Sequence, residues 1–179
     1  MKAWSNMMVA AAVLAACVLL VGGCKKTYFN LTDESHPAPL RFTTTESYCQ
    51  MGRSFTVEQG KYSLTSGDNT VLYIEGRSIV REENQGSVAT MDLTKTARIY
   101  MVLPLNPELK RYDAGFHSIC EVVGGGMYTE GNNLFECRSA ELALDSLKHG
   151  NYYGSFSGEY TNAEGRVVKI DGAIRAGRK

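Results

Sequence analysis

From Leu40 onward the chain alternates short apolar runs with turn residues, a pattern that predicts an all-β domain. Phe55 and Val57, then Tyr62 and Leu64, alternate with polar neighbours, as strands with one buried face do. Val71-Leu72-Tyr73-Ile74 is a continuous apolar run and predicts a strand buried on both faces. Turn residues bracket it, at Ser66-Gly67-Asp68-Asn69 and at Glu75-Gly76. Arg98 to Leu103 reads as another strand, stopped by Pro104. The last pair is the clearest: Tyr152, Phe156 and Tyr160 fall on one face, Asn162-Ala163-Glu164-Gly165 turns, and Arg166 to Ile170 returns.

Helical signals are few. Asn106-Pro107-Glu108-Leu109 suits a single turn, with Pro at a tolerated first-turn position. Ser139 to Lys148 predicts one short helix, with Ser139 as N-cap, Ala140, Leu144 and Leu147 at roughly helical spacing, and Gly150 as stop. The same stretch also carries Leu142-x-Leu144, the spacing of a strand. The expected fold is therefore mainly β: an antiparallel β-sandwich or small β-barrel, with one short helix at about 139–148. Residues 25–39 are polar and unpatterned and end in Pro37 and Pro39, so residues 24–39 are expected to form a flexible tether ahead of a single β-rich domain at 40–179. A tether of that length would hold the domain about 20 Å or more from its attachment point.

The N-terminus is organised differently. Lys2 precedes a run of 17 residues from Met7 to Gly23 without a charge, and Cys24-Lys25-Lys26 follows. That layout is a secretory signal peptide, and the run is short of the about 20 residues that a membrane-spanning helix needs. Val21-Gly22-Gly23-Cys24 resembles the lipobox of bacterial lipoproteins: an aliphatic residue and two small residues before a cysteine. Leu14-Ala15-Ala16-Cys17 fits the same pattern, but cleavage there would leave Val18-Leu19-Leu20-Val21 directly after the lipid. Cleavage at Cys24 leaves Lys25-Lys26, a polar start suited to lipid headgroups, and Cys24 is assigned on that ground. An uncleaved anchor is the alternative. The resemblance implies a signal peptide at 1–23 and three acyl chains, palmitate-type, on Cys24, enough for stable attachment. Lys25 stands where many inner-membrane lipoproteins carry aspartate, so the resemblance implies the outer membrane, facing the periplasm or the cell surface.

Composition narrows the function. The 19 Lys+Arg balance 19 Asp+Glu, which removes the basic field on which sequence-independent nucleic-acid binding depends. Of the 5 cysteines, export and lipidation leave Cys49, Cys120 and Cys137, if Cys17 departs with the signal peptide. Cys120 and Cys137 flank the segments Gly124-Gly125-Gly126 and Gly131-Asn132-Asn133, as on two strands joined by a loop, and are expected to form a disulfide. That bridge would close about 18 residues, worth roughly 3 kcal/mol. Cys49 is then a buried thiol, or a nucleophile if His117 or His149 serves as its base.

No recognised catalytic or metal signature is present. His36, His117 and His149 lie far apart with no HExxH or CxxC spacing, which predicts no metal site and no cofactor. Gly154-Ser155-Phe156-Ser157-Gly158 places Phe156 where a nucleophile elbow requires serine. This segment and the return through Gly172 look like the closing hairpin of many small bacterial surface β-proteins, a resemblance that implies fold and no activity. Arg175, Arg178 and Lys179 read as a solvated basic tail. The expected function is a non-enzymatic, outer-membrane-anchored binding module with an envelope protein as partner. Tyr112, Tyr128, Tyr152 and Tyr153 are its candidate interface residues, because tyrosine joins a large apolar ring to a polar tip. A carrier of a small apolar ligand in a barrel cavity, and an envelope hydrolase with scattered residues, are the rival classes. Intact mass of the membrane-extracted protein is expected to show a triacyl-sized increment that Cys24→Ala abolishes; an unmodified chain retaining Met1 would refute the lipoprotein reading.

Overall fold

In the computed structural model, which describes residues 26–34, 36–52, 56–59, 62–65, 67–83, 90–113, 117–124 and 133–178, every regular element is a strand. In chain order these are β1 (Tyr28–Asp33), β2 (His36–Met51), β3 (Thr56–Gln59), β4 (Tyr62–Thr65), β5 (Thr70–Glu83), β6 (Thr90–Leu103), β7 (Arg111–Tyr112), β8 (His117–Val123), β9 (Leu134–Lys148), β10 (Asn151–Thr161) and β11 (Val167–Arg178). Eight of them close into an antiparallel barrel in the order β1-β2-β5-β6-β8-β9-β10-β11, with β11 returning to β1. Closure of this kind removes exposed sheet edges. β7 pairs with β9 further along, Arg111 opposite Ala143 and Tyr112 opposite Leu142. β3 and β4 form a separate hairpin, with β4 lying against β8.

Period-two alternation decides which side chains point inward. Phe29 and Leu31 of β1, Leu72 and Ile74 of β5, and Ala97, Ile99, Met101 and Leu103 of β6 are buried in one cluster. Tyr152, Phe156 and Tyr160 join it from β10, as their shared face predicts. The run Val71 to Ile74 is buried throughout, inner and outer faces alike. The predicted closing hairpin is present in detail. Asn162 Oδ1 accepts from the amides of Glu164 at 3.1 Å and Arg166 at 2.9 Å, and Gly165 takes a φ of 79°. The side-chain carbonyl thus substitutes for backbone partners within the turn.

Three expectations are corrected. Ser139 to Lys148 is the second half of strand β9, not a helix: Leu142 and Leu144 point inward at 0% and 2% exposure, and β10 pairs along this stretch. As a helix it would leave β10 paired on one side only, with β11, and the barrel open, so tertiary pairing overrides a composition rich in helix formers. Gly150 is not a helix stop. With His149 at φ 50° and Gly150 at φ 77°, it makes the two-residue turn between paired Lys148 and Asn151, as twisted hairpins require. The described part of the tether expected at 24–39 is not free, because β1 begins at Tyr28 and β2 at His36. Phe29 and Leu31 are both fully buried, and the alternation Tyr28-Phe29-Asn30-Leu31 is the signal that the polar composition concealed. Finally, Arg175 and Arg178 belong to β11, so the basic segment is wall and not tail.

β1 is short and is held by close fit. Phe29 stacks on Phe42 of β2 with centroids 5.0 Å apart and planes 6° off parallel. Gly76 and Gly172 lie against the Phe29 ring and stem, where a Cβ on either would collide with it. Phe29→Ala is expected to cost about 3–5 kcal/mol. Urea unfolding monitored by circular dichroism measures this, and a loss below about 1 kcal/mol would contradict the account of β1 as an integral core strand.

Candidate binding surface

The interior of the barrel is occupied by side chains. Phe29, Phe42, Phe135, Tyr152 and Tyr160 are the largest of them, each no more than 2% exposed. The Tyr160 hydroxyl shares a 2.8 Å hydrogen bond with Ser118 Oγ, which also donates to the Tyr100 carbonyl at 2.9 Å. Burial pushes the Tyr160 phenol far above its ordinary range, so it stays protonated and neutral. One groove among the described residues lies on the outer wall across β9, β10 and β11, and another lies where the chain enters β1, between β2 and the ends of β10 and β11.

The three described cysteines are free thiols. The expected Cys120–Cys137 bridge is absent because of register: Cys120 faces Phe135 across the β8–β9 pair, while Cys137 lies two residues further along and faces Tyr160 of β10. Diagonal neighbours of this kind sit about 7–8 Å apart at Cα, beyond the usual reach of a disulfide. Cys49 and Cys120 are fully buried. Burial raises the Cys49 thiol to about 12, against a smaller lowering by Arg178, and raises Cys137 to about 11. Neither holds the stabilised thiolate that a nucleophile requires. His117 and His149 are exposed, and His36 opens β2. Among the described residues no group of three or more His, Cys, Asp or Glu is placed to hold a metal.

The candidate interface tyrosines separate. Tyr112 is 7% exposed and donates to the Glu108 carbonyl at 3.0 Å, and Tyr152 is 2% exposed; both serve the core and not a surface. An inward register position decides this in each case, which residue type alone does not reveal. Tyr153 is half-buried on the outer face of β10, opposite Arg175. Tyr128 and Cys24 lie outside the described residues.

The outer wall carries two arrangements that residue-type reasoning missed. Tyr48, Tyr73 and Tyr100 occupy paired positions on β2, β5 and β6, with ring centroids 5.0 and 5.1 Å apart. Val102, Ile119 and Leu134 continue this row as a second apolar cluster. In the next register row Arg98 bridges Glu75 at 2.9 Å and Glu121 at 3.2 Å, and the Tyr73 hydroxyl donates to Glu75 at 2.6 Å. The hydrogen bond from Tyr73, then that from Arg98, holds the Glu75 carboxyl below its ordinary range. The signal was the spacing of tyrosines across three strands, which becomes visible only once register is known.

The second arrangement is a shallow groove of about 490 Å³ across the outer faces of β9, β10 and β11. Ser139, Glu141, Ser157, Glu159, Lys169 and Asp171 line it, together with Asp113. Arg138 meets Glu159 at 3.2 Å, Arg111 meets Glu141 at 3.3 Å, and Asn30 donates to Asp171 at 3.1 Å. These pairs are solvated and contribute little to stability, so they are available for exchange with a partner's groups. Tyr153 shares the outer face of β10 with Ser157 and Glu159. Compared with protein families, curated proteins and solved structures, the chain returns no match.

In the native protein Cys49 and Cys120 are expected not to react with a thiol-specific disulfide reagent at pH 8, whereas all three described thiols should titrate after denaturation without reductant. Two thiols missing from the denatured count would restore the disulfide.

Proposed function

We propose that this chain is a lipid-anchored, non-enzymatic binding module of the bacterial envelope, which engages an envelope protein through the outer face of β9, β10 and β11. The observation that carries the reading is the filled interior: with the described core packed by Phe29, Phe42, Phe135, Tyr152 and Tyr160, recognition falls to the outer wall. That wall offers a concave, charged groove lined by Glu141, Glu159, Lys169 and Asp171, with Tyr153 four residues before Ser157 on the same face of β10. Surfaces of this kind combine a ring for desolvated contact with charges that set orientation and encounter rate. The acidic majority of the groove suits a partner presenting basic or amide donors. Attachment through Cys24 and the outer-membrane address rest on the lipobox and on Lys25.

The paired change Glu141→Lys with Asp171→Lys is expected to leave folding intact, since both side chains are on the outer wall, and to lower partner recovery about tenfold. The measurement is quantitative recovery of cross-linked partners from intact envelopes with wild-type and variant full-length protein. Equal recovery by the two would overturn the assignment of this face, and the lack of any reproducible partner would overturn the binding reading itself.

A further inference from the structure

We propose that the end of the barrel where the chain enters β1 rests directly on the bilayer, with Leu105, Leu109 and Leu147 seated among anionic phospholipid headgroups. The inference rests on lipidation at Cys24 and adds how the anchored domain is oriented. It begins with length. Thr27 is already fixed, because its carbonyl accepts from the Thr44 amide at 2.9 Å. Lys26 lines a groove with Asn151, Arg175 and Gly177 at the open end of β10 and β11. Cys24 is two residues further back, so its Cα lies within about 7 Å of that of Lys26 however the chain runs. A lipid on Cys24 cannot therefore hold the barrel away from the membrane; it brings this end into contact.

The pairing registers identify what else is at that end. Met51 faces Thr70, Thr70 faces Leu103, and Val102 faces His117, while Lys148 faces Asn151 and Asn151 faces Gly177. The large apolar side chains exposed among the described residues are Leu105, Leu109 and Leu147, at 51%, 52% and 42%. All three belong to this end. Leu105 lies two residues beyond the last residue of β6, and Leu147 lies one before the last of β9. Leu109 precedes Lys110, whose carbonyl accepts from the Leu144 amide at 3.0 Å. Three exposed leucines on the end of the barrel where the chain enters give that end apolar side chains of the kind that insert at an interface.

Charge supports the same occupant. Lys26, Lys148, Arg175 and Arg178 are exposed around the entry point, and Lys25 adjoins it in sequence. The Arg178 amide bonds to the Gly150 carbonyl at 3.0 Å, which fixes the end of β11 against the β9–β10 turn. Lys110 is neutralised by Glu108 at 2.8 Å, and Glu46, Asp68 and Asp145 are further exposed acids toward this end. Basic side chains near a leaflet are attracted to anionic lipid within a Debye length, which this contact satisfies.

The test uses the full-length lipidated protein in vesicles of phosphatidylethanolamine and phosphatidylglycerol with nitroxide-labelled headgroups. A fluorophore is attached in Leu109→Cys, at the proposed contact, or in Ala163→Cys, in the turn at the opposite end of the barrel, with the unsubstituted chain as background. Intact mass establishes in each sample whether Cys24 carries lipid. With lipid present, quenching is expected to be several-fold stronger at position 109 than at 163, and a label in Lys148→Cys should be released by Asp at positions 105, 109 and 147. Equal quenching at the two ends of a lipidated protein overturns the orientation and leaves the anchor standing. Absence of lipid on Cys24 overturns both. Shielding of position 109 in native envelopes but not in vesicles would assign this end to a protein partner and overturn the bilayer contact.

Discussion

The barrel depends on how six residues close it. β1 fills the space between β2 and β11, which meet each other directly only beyond its start, where Gly177 faces Tyr48 and Arg178 faces Cys49. Phe29 is the side chain that makes this insertion favourable: it stacks on Phe42, leans on Phe156 at 6.2 Å, and fits against the backbone at Gly76 and Gly172. Any larger residue at those two glycines would push β1 out of the wall. The hydrophobic gain from Phe29 and Leu31 is thus coupled to closure, and closure in turn satisfies the edges of β2 and β11. On the outside Arg41 lies 3.9 Å over the Tyr28 ring, holding the first residue of β1 to its neighbour.

With the described core filled by side chains, the described grooves and charged patches lie outside the barrel. The side that carries the Tyr48, Tyr73 and Tyr100 row is itself largely buried, with Tyr73 at 7% exposure, and its ion chain through Arg98 ties three strands together. The opposite side, across β9, β10 and β11, keeps its charges solvated and holds a groove. The third distinct region is the end of the barrel at the chain entry, which combines exposed leucines with cations. These regions have different chemistry, so the proposed lipid contact at the entry end and the proposed protein contact at the side would not compete.

Much of the architecture was legible in the chain. Asn162-Ala163-Glu164-Gly165 specified its turn through local chemistry, because the Asn162 carbonyl bonds within four residues and needs no distant partner. The 71–74 run announced burial on both faces, since no polar residue interrupts it. Ser139 to Lys148 was misread because its leucines satisfy two periodicities at once, and only the presence of β10 beside it chooses between them. Polar residues interleaved through the β1 segment hid a strand whose inward positions are few but fully buried. Tyr112 and Tyr152 were drawn to the surface by residue type, whereas their register sends them to the core.

The sequence by itself determined the all-β class and the closing hairpin, and it carries the lipobox resemblance, because each rests on residues that are neighbours along the chain. Tertiary structure alone decided that β1 belongs to the wall, that Cys120 and Cys137 lie diagonally, and that tyrosines from three strands form one row. It also decided which cations and leucines share the end where the chain enters. The physical reason is register: a strand presents alternate residues to opposite faces, and a shift of one position exchanges core for surface. That choice is made by pairing between strands distant in sequence, after the local pattern has done all it can.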